Sequence, residues 1–137
     1  MPSSDASKIQ AFLAEGPWAV IGASTHRSKY GNKVLRCYQQ HGMEVFPINP
    51  RATEVEGRKA YPSLKSLPKK VTGISIITPP EITERAVVEA IEAGVKHIWM
   101  QPGAESQSAI QAAEAAGLEV IAWGPCLLVV IGYRERD

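Results

Sequence analysis

The 137-residue sequence predicts a doubly wound α/β fold, a mostly parallel sheet with helices on both faces. Short apolar, β-branched runs recur at Trp18–Ile21, Val71–Ile77, Lys96–Gln101 and Glu119–Trp123, and each of the first three is followed by a segment of helical periodicity. Glycine, at Gly42, Gly94 and Gly117, closes each helical segment before the next strand begins. Strands that alternate with helices on connections this short pair in parallel, through right-handed crossovers.

In order along the chain, Asp5 is read as the cap of a first helix with Ile9, Phe12 and Leu13 on one face, stopped by Gly16-Pro17. The strand Trp18–Ile21 ends on Gly22, and a polar loop leads to Gly31-Asn32. Asn32 is the expected N-cap of a helix to His41, with Val34, Cys37 and Tyr38 as its inner face and Cys37 a small core residue. Glu44–Ile48 is the second strand, and the two prolines of Pro47-Ile48-Asn49-Pro50 force a loop to leave the sheet there. A short edge strand at Lys59–Tyr61 and a helical turn at Ser63–Leu67, ended by Pro68, follow. After Val71–Ile77, Thr78 and Glu81 have capping-box spacing for a helix to Ala93 whose buried stripe is Val87, Ala90, Ile91 and Gly94. The strand Lys96–Gln101, a helix Ser106–Ala116 and the strand Glu119–Trp123 complete the alternation. The tail Gly124–Asp137 is expected to add an extended segment at Leu127–Ile131, while Trp99, Trp123 and Met100 read as packing or dimer-contact residues.

With the edge strand counted, the strand order is 3-2-1-4-5-6. The strands ending at Gly22 and Ile77 are then neighbours at the switch point, where such sheets hold ligands. The loops Gly22–Asn32 and Thr78–Glu81 face each other there, flanked by Asn49-Pro50-Arg51 and Gln101-Pro102-Gly103.

The length fits one domain, 1–137, with residues 1–16 and 124–137 packed on it. Fifteen basic against 14 acidic residues make no field that would attract nucleic acid or an acidic membrane. Cys37 and Cys126 have no metal spacing with each other or with His26, His41 and His97, so reduced thiols are expected. With no signal-peptide pattern and no apolar run of spanning length, the expected location is cytoplasmic.

The dinucleotide fingerprint needs three close glycines, and Gly22 is followed by Ala23-Ser24-Thr25 with the next glycine at Gly31. What remains is a looser phosphate loop. The amides of Ala23, Ser24 and Thr25, the hydroxyls of Ser24 and Thr25, and the cations Arg27 and Lys29 can surround a pyrophosphate; a merely solvated loop is the plain alternative. An NAD site wants a carboxylate after the second strand, where this chain has Asn49-Pro50-Arg51. Arg51 suits a phosphate on the ribose, as in NADP or coenzyme A. No paired carboxylates, nucleophile-base pattern or metal cluster is readable. Cys126 is read either as a buried structural cysteine or as a thiol near a thiol-bearing ligand.

Several segments, taken in order, carry a resemblance. They are Gly22-Ala23-Ser24, Tyr30-Gly31, Pro47–Arg51, Gly57 with Tyr61–Leu64, Thr78-Pro79-Pro80, Trp99–Ala104, Ala115–Val120 and Gly124-Pro125-Cys126. Together they resemble the stand-alone CoA-binding domain family, similar in fold to the Rossmann-like CoA-binding domain of the succinyl-CoA synthetase α subunit. The resemblance implies that Gly22–Thr25 with Tyr30 and Gly31 lies on the CoA pyrophosphate and that Ile48–Arg51 contacts the adenosine and its 3′-phosphate. It further implies that Thr78–Pro80 and Met100, Gln101 and Gly103 line the path of nucleotide and pantetheine. The synthetase's phosphorylated histidine lies in a second domain that this chain is too short to include, so ligase activity is not implied. The expectation is a non-catalytic module for CoA or an acyl-CoA, with a homo-oligomer unsurprising. An NADP-binding oxidoreductase-like domain and an interaction subunit of a larger acyl-CoA enzyme are the alternatives.

Overall fold

The computed structural model describes residues 5–135. The elements run α1 (Asp5–Ala14), β1 (Trp18–Ile21), α2 (Tyr30–Gln40), β2 (Val45–Ile48), β3 (Glu54–Val55) and β4 (Arg58–Lys59), followed by a 3-10 turn (Leu64–Ser66). They continue with β5 (Gly73–Ile76), α3 (Pro80–Ala93), β6 (His97–Met100), α4 (Gln107–Ala115), β7 (Glu119–Ile121) and α5 (Leu127–Val130).

Five strands form one parallel sheet in the order β2-β1-β5-β6-β7. Alternate side chains feed two cores, which is why these strands read as continuous apolar runs. Ala19, Ile21, Ile74, Ile76 and Ile98 pack beneath α3 and α4 with Val87, Ala90 and Ile110. Trp18, Val20 and Trp99 pack on the other face against Phe12 of α1, Val34 and Tyr38 of α2, and Leu127 of α5. β5 presents only Gly73 and Ser75 to that second face. A Cβ on Gly73 would stand 2.9 Å from both the Phe12 and Trp18 rings, and the buried Ser75 hydroxyl pairs with Tyr38 Oη at 2.7 Å. Cys37 is fully buried, and burial pushes its thiol up to about 12, in keeping with a packing role.

The sheet departs from the predicted order at one edge. Glu54–Val55 and Arg58–Lys59 pair with each other as an antiparallel hairpin, so residue 59 is not available to β2. Only Tyr61 reaches the sheet, with Tyr61 N donating to Pro47 O (3.0 Å) and Asn49 N to Tyr61 O (2.9 Å). Ser63 then caps the 3-10 turn and ends the pairing. Pro47 is tolerated inside β2 because its N–H position faces this nearly open edge.

Four local assignments change as well. Asp5 lies in the first turn of α1 and not at its cap. α2 begins two residues before Asn32, capped at Lys29, and Asn32 sits fully buried inside it with a tertiary role described below. Pro79, not Thr78, precedes α3, and the Thr78 hydroxyl pairs with Thr83 Oγ1 at 2.9 Å in place of a capping box. Leu127–Val130 is a helical turn and not an extended segment, because Leu127 N donates to the buried Gln101 Oε1 at 2.9 Å and its side chain plugs the second core. Beyond it the tail runs along α2, where Gln40 exchanges hydrogen bonds with both backbone groups of Arg134.

Candidate functional site

β1, β2 and β5 end level with one another, Ile21 lying beside Ile48 on one side and Ile76 on the other. β1 and β2 lie on one side of the point where strand order reverses and β5 on the other, so the loops leaving these ends diverge and open a crevice. A cleft of about 910 Å³ lies there, walled by Gly22–His26 and Lys29 on one side and Ile48–Glu54 on the other, with Pro79 and Ile82 from the start of α3. A smaller, more apolar recess of about 360 Å³ adjoins it and shares Gly22, Ile48, Pro50 and Ile82. These dimensions suit a small organic ligand.

Two glycines bring the loop in close. Gly22 has φ +97°, and a Cβ there would stand 2.3 Å from Ile77 O. A Cβ on Gly31 would stand 2.0 Å from Gly22 O, so the N-terminus of α2 rests directly on the turn after β1. Gly31 thus performs the close helix-to-strand packing of a fingerprint glycine at an unusual spacing.

Three carbonyls of this loop are held by side chains. Asn49 Nδ2 donates to Ala23 O (2.8 Å), Asn32 Nδ2 to Ser24 O (2.8 Å) and Arg36 Nη2 to Arg27 O (2.8 Å). Arg36 Nε in turn holds Asn32 Oδ1 at 2.6 Å, and the Glu56 carboxylate accepts from Asn32 Nδ2 at 3.0 Å. Glu56 reaches this position from the β3–β4 turn at φ +48°, uncommon for a residue with a Cβ. The carbonyls of Ala23 and Ser24 are thus occupied, while the amides of Ala23, Ser24 and Thr25 have no protein acceptor among the described residues. Successive free amides next to a helix N-terminus form a concavity for an anion.

Other residues expected at the site sort by position. Ser24, Thr25, Lys29, Asn49, Pro50, Arg51 and Pro79 line the main cleft, and Thr78 the recess. Asn49 is committed to architecture, its Oδ1 accepting from Arg51 N (2.8 Å) and Ala52 N (3.1 Å). Arg51 is exposed, with no ion-pair partner among the described residues, whereas Arg27 stands 3.6 Å from Glu56. Pro80 begins α3 outside both cavities. Met100 is fully buried among core side chains, because it continues the inward alternation of β6, and so does not line the cleft. Gln101 is also fully buried, its Oε1 accepting from Leu127 N and from Tyr30 Oη (3.3 Å). Gly103 is an exposed turn residue at φ +97°, its amide held by Glu105. Cys126 Sγ is hydrogen-bonded to Tyr30 Oη.

Asn32, read from the sequence only as a helix cap at the end of the loop, and Arg36, Glu56 and Ile82, which the sequence did not single out, belong to the site. An Asn and an Arg at i, i+4 inside the apolar face of α2 were the available signal for the first two. Among the described residues no group of side chains could hold a metal ion, and no helix is long and apolar enough to cross a membrane.

The sequence model described as CoA binding domain matches residues 17–131. Over 81 residues, 58% of this chain and 18% of the relative, the chain is 38% identical to the α subunit of the ADP-forming acetate–CoA ligase II of Pyrococcus furiosus. It is 28% identical over 123 residues, 82% of this chain and 18% of the relative, to ADP-forming acetate–CoA ligase I of Archaeoglobus fulgidus. The chain therefore spans under a fifth of these curated relatives. Among solved structures, a hypothetical protein from Pyrococcus horikoshii superposes with TM-score 0.87 at 30% identity, over 94% of this chain and 92% of that one. The dinucleotide-forming acetyl-coenzyme A synthetase 1 of Ca. Korarchaeum cryptofilum superposes with TM-score 0.67 at 32% identity, over 75% of this chain and 25% of that one. Pattern and fold agree along nearly the whole length: the chain belongs to the CoA-binding domain family.

Proposed function

We propose that this chain binds CoA or an acyl-CoA in the cleft and acts as a non-catalytic, regulatory or carrier module. In this reading the pyrophosphate lies on the amides of Ala23–Thr25, near Lys29 and the start of α2, and the 3′-phosphate meets Arg51. The observation that carries it is the row of three free amides, whose neighbouring carbonyls are held by Asn49 and Asn32. Directly after β2 the cleft wall presents Asn49-Pro50-Arg51, where a free ribose diol would call for a carboxylate; Glu54, the acidic residue of this wall, stands further along the loop. Among the described residues no hydrogen bond joins the His26 ring to the Ser24 or Thr25 hydroxyl beside it in the cleft wall, so neither hydroxyl is paired with a base, which supports binding over turnover.

The test is equilibrium titration of the purified protein with CoA, dephospho-CoA, NADP and NAD. CoA is expected to bind tightest, and Arg51→Ala to weaken CoA by about tenfold, or ~1.4 kcal/mol, for an exposed charge-assisted contact. Dephospho-CoA is expected to lose little in the same variant. Equal losses for the two ligands would remove Arg51 as the reader of the 3′-phosphate, and tighter binding of NADP would overturn the ligand assignment.

A further inference from the structure

We propose that Cys126 captures CoA covalently, by thiol–disulfide exchange with a CoA disulfide bound in the cleft. The inference rests on the CoA reading above and adds a reactive site to it. Three groups from separate elements meet here: Tyr30 at the start of α2, Gln101 at the end of β6 and Cys126 before α5. Tyr30 directly follows Lys29 of the cleft wall and its hydroxyl touches the sulfur; the three groups lie behind that wall and do not themselves line the cleft or its recess. The segment carrying the thiol is pinned on both sides. Trp99 Nε1 donates to Pro125 O at 3.0 Å, and Leu127 N donates to Gln101 Oε1. Cys126 itself remains partly exposed, unlike the sealed Cys37.

A second observation points to a ligand at the same place. Gln101 is fully buried, and the Leu127 amide fixes which end of its carboxamide is oxygen. That leaves Nε2 in the cluster with no acceptor among the described residues. An unmet buried donor is costly, and the arm of CoA that ends in the thiol carries two amide carbonyls suited to it. Burial holds the Tyr30 phenol above its usual range, so it stays protonated, and its one hydrogen can turn from Gln101 Oε1 to a developing thiolate.

In the exchange, Cys126 sulfur attacks the CoA sulfur of CoA–S–S–R. The Cys126–CoA disulfide forms, the bond to R breaks, and the electron pair leaves on R–S⁻, which takes up the proton released by Cys126. No further oxidant is needed, and a free thiol reverses the step.

The experiment incubates the full chain with CoA disulfide and, separately, with 2-hydroxyethyl disulfide, and follows intact mass and peptide maps without reductant. Expected are one CoA adduct per chain on Cys126, at least about tenfold faster than the hydroxyethyl adduct because the ligand is held in place. Excess S-methyl-CoA should slow it, and Cys126→Ser, checked for unchanged melting, should take up none. If S-methyl-CoA binds but no adduct forms, or the adduct sits on Cys37, or the two disulfides react alike, the capture is overturned while the CoA reading stands. If S-methyl-CoA does not bind either, both fall.

Discussion

Gly31→Ala is expected to destabilise the protein by about 3 kcal/mol and to abolish measurable CoA binding. The sign is the informative part. Glycine inside a helix ordinarily loses to alanine by about 0.5–1 kcal/mol, so this substitution in α2 should stabilise if only local propensity mattered. Here the added methyl would stand 2.0 Å from Gly22 O and 3.0 Å from Gly22 C, both backbone atoms that cannot rotate away. The N-terminus of α2 must retreat by roughly an ångström, taking with it the loop between Gly22 and Tyr30. Thermal unfolding should show a fall of roughly 10 °C. Gly124→Ala is the matched control, since nothing lies within 4 Å of its Cβ position and its backbone is not left-handed. A Gly31→Ala variant as stable as that control would show that α2 does not rest on the β1 turn.

The second large effect is expected at Asn32. Asn32→Ala strands Ser24 O and Arg36 Nε, which it now serves at 2.8 and 2.6 Å, and removes a donor to Glu56. Leaving buried polar groups unmet costs about 1–3 kcal/mol apiece, so a loss of about 3 kcal/mol is expected after partial relaxation. CoA affinity should fall by about tenfold as well, because Ser24 O is freed to turn toward the anion that the neighbouring amides would receive. Chemical denaturation and CoA titration of the same variant separate the two effects. Retained affinity in a destabilised variant would mean that the loop holds its shape without this tie.

These two positions also show how far local reading of the sequence reaches. The strand-helix alternation, the sheet's parallel sense and the junction after β1 follow from runs such as Trp18–Ile21 and Gly73–Ile76, because a strand covered on both faces leaves little choice of residue. Asn32 looked like a cap because asparagine beside a glycine commonly starts a helix. Its amide is instead claimed by Ser24 O, a contact set by how α2 lies on the β1 turn and not by its neighbours in sequence. Leu127-Leu128-Val129-Val130 has strand composition, yet it forms a helical turn and pairs with no strand of the sheet. Leu127 docks fully and Leu128 in part, and Val129 is left 80% exposed. Tyr61 met β2 as expected, but the strand predicted around it was lost to the hairpin that brings Glu56 over α2. Glu56 itself carried no local signal, since its role depends on two segments separated by more than twenty residues in the chain.

Backbone amide NMR during a CoA titration tests the central claim most directly, because it reports the groups proposed to hold the pyrophosphate. The account predicts that the amides of Ala23, Ser24 and Thr25 show the largest shifts, with Arg51 and the first turn of α2 following and with the residues at the opposite end of the sheet, Leu64–Lys70, unmoved. Saturable CoA binding that leaves Ala23–Thr25 unshifted, or that moves Leu64–Lys70 instead, would contradict it.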